Sequence, residues 1–171
     1  MKFLIYDMSF ETPPNWKFRI TETSSYESGK MAIISPKKVV IGVQWQPLEK
    51  MGRSNSKKVE TKPEKVSLDE FLSDLFSSIP KDRKFRDLKV LERTGHERGV
   101  HQYRFFRLSF TYKKLFGKEK PQHCIGYLIL CKKTKRTIGA FTNLPLGMID
   151  EDIKNLEGPM KSLRCLCTPP V

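Results

Sequence analysis

The run "VHQYRFFRLSFTY", residues 100–112, sets large side chains on both sides of one extended segment. Side chains alternate along a strand with period two. Tyr103 and Phe105 therefore share one face, and Phe106, Leu108 and Phe110 the other. The change of phase between Phe105 and Phe106 predicts a bulge or strong coiling there. Upstream, "FRDLKVLERTG" (85–95) reads as a strand that turns through "HERG" into this one. Downstream, the loop "KKLFGKEKPQ" (113–122) leads to "HCIGYLILC" (123–131), which is apolar on both faces and so belongs in the middle of a sheet. "KKTKR" (132–136) turns the chain into a further strand, "TIGAFTNLP" (137–145).

Outside this meander, "FETPPNW" (10–16) reads as strand, tight turn, strand. Residues 3–12 and 16–21 form the pair around Pro13-Pro14, which cannot continue a helix, and Trp16 anchors the core. "KMAIIS" (30–35) and "VVIGVQWQP" (39–47) are strands; in the second, Val39, Ile41, Val43 and Trp45 share one face, so both tryptophans are expected to be buried. Residues 49–66 are polar, with Gly and Pro, and read as a long exposed loop. Ser67 then opens a helix as N-cap, with Glu70 completing a capping box. Leu68, Phe71, Leu72, Leu75, Phe76 and Ile79 make its apolar stripe, and Pro80 stops it. A last helix runs from about Asp150, buries Ile149, Ile153, Leu156, Met160 and Leu163, and should kink or divide at Gly158-Pro159. Strands, helix, strands, helix, without βαβ alternation, predict one α+β domain over residues 1–171: a central, mainly antiparallel twisted sheet flanked by helices.

The composition, 38% hydrophobic with 11 Phe, is that of a folded protein. No apolar run approaches the ~20 residues of a membrane helix, and the N-terminus lacks a signal-peptide pattern. A soluble, cytoplasmic protein without membrane insertion is expected. Of the net charge of +13, +8 falls within residues 101–150. The candidate basic contact residues are Lys113, Lys114, Lys118 and Lys120 in one group, and Lys132, Lys133, Lys135 and Arg136 in the other. The four cysteines are Cys124, Cys131, Cys165 and Cys167. Cys165-Leu166-Cys167 is the one close pair, and two thiols need further ligands to hold a metal. With no C-x-x-C spacing, neither metal nor cofactor is expected.

The order of these markers resembles the PsbP family and its relatives among small nuclear-import adaptors. "FETPPNW" stands for the strand–proline–tryptophan opening, "VVIGVQW" for the next extended segment and "VSLDEFL" for the helix after a variable loop. "KFRDLKVLERTG…VHQYRFFRLSF" and "CIGYLILCKKTKRTIGAFTNLP" stand for the long meander. The resemblance implies a central antiparallel sheet between helical layers, an α/β/α sandwich, in a non-enzymatic domain that docks on a larger protein. It carries over no site residues, because the adaptors' acidic docking residues have no match in this chain.

Function classes separate on motifs. There is no G-x-S-x-G elbow, H-E-x-x-H helix, P-loop or dinucleotide fingerprint, so an enzyme is not expected. His96 falls in a turn; His101 and His123 open consecutive strands and would be neighbours if those ends met. The leading expectation is a protein-binding adaptor. The alternative is a nucleic-acid binder: "RFFRLSFTY" interleaves arginine with aromatics on a strand, as RNA-binding sheets do, without the glycines of the RNP pattern. A third reading, a small-ligand pocket between sheet and helices, has no marker in the sequence.

Overall fold

In the computed structural model, which describes residues 1–48, 67–79, 82, 84–113, 119–145 and 150–167, two antiparallel sheets of unequal size carry two helices. The first half contains β1 (Lys2–Ile5), β2 (Met8–Glu11), β3 (Lys17–Ile20), β4 (Gly29–Ile34), β5 (Val40–Pro47) and α1 (Leu68–Ser78). The second contains β6 (Phe85–Arg98), β7 (His101–Tyr112), β8 (Lys120–Cys131), β9 (Arg136–Pro145), α2 (Asp150–Ser162) and β10 (Arg164–Cys165). The large sheet has the order β3-β4-β5-β9-β8-β7-β6, and the small one β1-β2-β10. The loop 49–66, Pro80, Lys114, Lys118 and Ile149 of the sequence reading lie outside the described residues.

The large sheet has a core on each face. On one, Trp45, Ile129, Ile138, Tyr103 and Phe105 meet α2 and the small sheet, through Ile153, Leu156, Met8 and Phe10. On the other, Phe106, Leu108, Leu128 and Leu130 meet Leu68 and Leu72 of α1. The result is the expected α+β sandwich. The ring of Phe106 lies over Gly126, where any Cβ would strike it.

The α1 N-terminus is fixed in detail. Ser67 is extended (φ −105, ψ 135), and its hydroxyl accepts from Asp69 N at 3.2 Å, one residue earlier than a capping box predicts. Gln102 Oε1 of β7 accepts from Leu68 N at 3.2 Å. Arg104 Nε donates to Asp69 Oδ1 at 2.9 Å, and Arg93 Nη2 to the same oxygen at 2.8 Å.

Several expectations are corrected. Residues 3–12 are not one strand: a turn at Tyr6-Asp7, with φ 44 and 62, folds them into the β1–β2 hairpin. Positive φ at both central residues is the geometry of a two-residue hairpin turn, here without the usual glycine. Residues 3–12 and 16–21 are accordingly not partners. Pro13-Pro14-Asn15 carries the chain from the small sheet to the large one, and Trp16 is half-buried at that crossing while Trp45 is fully buried. The chain reverses between β6 and β7 at Gly99-Val100, so His96 lies in β6, stacked on Tyr103, rather than in a turn. β7 pairs with β8 without interruption; the irregularities fall on β6, between Arg86 and Lys89 and between Val90 and Glu92. α2 runs through Gly158-Pro159 without division and ends at Ser162, so Leu163 lies just past it. No helix among the described residues is long and apolar enough to cross a membrane.

Candidate metal centre

His101 and Cys131 are direct partners in the β7–β8 register, so both side chains leave one end of the sheet on one face. β10 reaches the same place from the small sheet. Cys165 pairs with Met8, and Leu166 N donates to Asp7 O at 2.9 Å. Cys167 takes φ 61, a left-handed conformation uncommon outside glycine, and turns back toward Cys131. Its Sγ lies 3.3 Å from Cys131 Sγ and 2.9 Å from His101 Nε2. The four donor atoms of His101, Cys131, Cys165 and Cys167 all fall within 4.8 Å of one another. Cys131 and Cys165 are buried, His101 and Cys167 half-buried.

The turn after β8 closes over the sulfurs. Thr134 N donates to Cys131 Sγ at 3.4 Å, and the Thr134 hydroxyl lies 3.9 Å from Cys165 Sγ. The hydrogen bond shared with Cys165, helped by Thr134 and opposed by burial, holds the Cys131 thiol down at about 4. That same hydrogen bond, with burial, pushes Cys165 up. Burial, then Cys131, raises Cys167, while Lys133 nearby lowers it. The three thiols thus titrate as one coupled unit rather than as independent groups. Cys124 stands apart, packed beneath α1, and burial pushes it up to about 11.

The further ligands that Cys165 and Cys167 would need are at hand in this geometry, since His101 and Cys131 bring the donors to three cysteines and one histidine. Sequence spacing hid it because the ligands are joined by strand register. The available signal was a histidine opening one long strand and a cysteine closing the next. His101 and His123 are not neighbours: His123 pairs with Ser109, at the far end of β8.

The basic residues do not converge. Lys113 and Lys120 are exposed at one end of β8; Lys132, Lys133 and Lys135 are exposed at the other. Arg136 must be taken out of the surface group, because it enters β9 facing inward and is 2% exposed. Arg104 pairs with Asp69, and Arg107 with Glu92 and Glu157, while the aromatics of "RFFRLSF" are core residues. That segment therefore offers no stacking platform to a nucleic acid.

No family model matches the chain, and no curated protein matches its sequence. Its architecture does match. The solution structure of cyanobacterial PsbP (CyanoP) from Synechocystis sp. PCC 6803 superposes with a TM-score of 0.63 over 96% of this chain and 91% of that one, at 6% identity. The chain has the PsbP fold. LpqN of Mycobacterium tuberculosis, described as involved in cell envelope biogenesis, is a looser match, with a TM-score of 0.42 and 9% identity over 91% of this chain and 81% of that one. The Pseudomonas aeruginosa protein PA94, of unknown function and a putative regulator, gives 0.45 and 8% over 100% and 98%. On the PsbP fold, the donor cluster sits where the small sheet meets the end of β7 and β8.

Proposed function

We propose that this chain is a non-enzymatic, cytoplasmic docking domain that binds a larger protein through the open half of its large sheet. The observation that carries the reading is Phe141. It lies on the α1 side of β9, is 36% exposed, and is held against the sheet because Gly139 has no Cβ to displace its ring. Its ring touches Phe106, so the exposed aromatic continues the buried core. Open grooves of about 480 and 590 Å³ flank it. Val40, 48% exposed, and Lys38 line one; Ala32, Lys30, Arg19 and Glu22 line the other. A fixed aromatic within a mainly basic rim suits an acidic protein segment with an apolar anchor, and aromatic anchors of this kind dominate docking energies.

A photo-crosslinking residue placed at 141, and at 132 for comparison, tests this in cells. Protein adducts at 141 that resist nuclease, and are lost from Phe141→Asp when the crosslinker is moved to 40, are expected. Adducts equal at both positions, or abolished by nuclease, would overturn the docking reading in favour of the basic surface.

A further inference from the structure

We propose that His101, Cys131, Cys165 and Cys167 bind one Zn²⁺ ion, which ties the C-terminal strand and the small sheet to the end of the large sheet. This is independent of the docking surface, which lies on the opposite face.

Three thiolates and an imidazole are a soft donor set, and four protein ligands make a closed, structural site. A tetrahedral zinc holds sulfurs at about 2.3 Å and an imidazole nitrogen at about 2.0–2.1 Å, which puts the donors roughly 3.5–3.8 Å apart. The separations of 3.3 Å between Cys131 and Cys167 and 2.9 Å between Cys167 and His101 need only a slight outward shift. Register places two ligands side by side, and the β2–β10 pairing delivers the other two, so the site is formed by the fold itself. Thr134 supplies a backbone N–H to Cys131 Sγ, the outer hydrogen bond that steadies a metal-bound thiolate. On binding, each sulfur that still carries a proton releases it to solvent as it bonds the ion, and His101 binds neutral through Nε2. No electrons change hands.

The test is a Co²⁺ titration of reduced, metal-free full-length chain, followed by Zn²⁺ displacement. The expected result is saturation at one equivalent, with the visible bands of tetrahedral cobalt and a sulfur-to-cobalt charge-transfer band, both lost on adding zinc. X-ray absorption of the zinc form should find three sulfurs and one nitrogen. Cys167→Ser and His101→Ala alter half-buried ligands and should each weaken binding at least tenfold. His101→Cys should retain tetrahedral binding, and Cys124→Ser, outside the cluster, should match the wild type. An octahedral spectrum, no saturation near one equivalent, equal weakening by Cys124→Ser, or a Cys131–Cys167 disulfide in protein kept reduced would overturn the proposal. Should a ligand variant fail to fold, the wild-type spectrum and X-ray absorption decide.

Discussion

Within "KKTKR" the basic side chains divide by where the turn ends and β9 begins. Lys132, Lys133 and Lys135 meet water. Arg136 points inward, donates to Tyr6 O and Tyr26 O at 2.8 Å each, lies 3.7 Å from Asp7 and stacks on the Tyr26 ring at 4.6 Å. It thereby braces the Tyr6-Asp7 turn, whose left-handed backbone is costly for tyrosine. Arg136→Met should lower stability by ~3–5 kcal/mol, since it removes one partner of a buried ion pair and strips two carbonyls of their donor. Lys133→Ala should stay within ~0.5 kcal/mol. Urea unfolding of both variants checks this, and equal effects would refute the division. Composition cannot make this distinction, because it depends on one residue's parity in a strand whose first position is set by pairing.

At the scale of elements, α1 is held to β6 and β7 by Asp69, on which Arg93 and Arg104 converge. The hydrogen bond from Arg104 holds the Asp69 carboxyl down at about 2, below its ordinary 3.8. A depressed carboxyl contributes stability that is complete above its unfolded value and lost as pH falls through the folded one. Asp69→Asn should therefore cost ~1 kcal/mol at neutral pH, a modest figure because the side chain is half-exposed. The gap to the wild type should close as pH falls from about 4 toward 2, as followed by denaturant melts. A gap that stayed constant to pH 2 would show that the carboxylate charge is not what holds the helix. The helix itself was legible, because its stripe and N-cap are local. The β6 irregularities were not: Tyr103 to Phe110 keeps strict alternation and looked like a phase change only because both faces of β7 are covered. The β1–β2 hairpin was hidden for a similar reason, since apolar spacing runs across a turn that contains no glycine.

For the whole molecule, the lysines that carry most of the +8 of residues 101–150 are divided between the separated ends of a long strand, and Arg104 and Arg107 of β7 are already paired. Binding to mixed-sequence RNA or DNA at physiological salt should be no tighter than the ~10⁻⁴–10⁻⁶ M of non-specific basic proteins. Lys132/Lys133/Lys135→Glu should flatten its salt dependence without touching crosslinking at 141. Nanomolar binding abolished by that triple change would make nucleic acid the partner. The order of elements carried enough information for the sandwich; sequence spacing hid the Cys₃His cluster because its ligands come from two strands of the large sheet and from β10 and the residues just after it. That same arrangement bears on how the chain is made. β2 has one neighbour, β1, at hand; its other, β10, follows more than 150 residues later, and Glu11 waits for the Ser162 hydroxyl 151 residues downstream. At elongation rates of about 5–20 residues per second, roughly 8–30 s pass between their emergence from the ribosome. Through that interval Met8 and Phe10 have no complete layer to enter, so β1 and β2 are sealed long after they are made, and a chain stalled before Arg164 would be a natural client for chaperones.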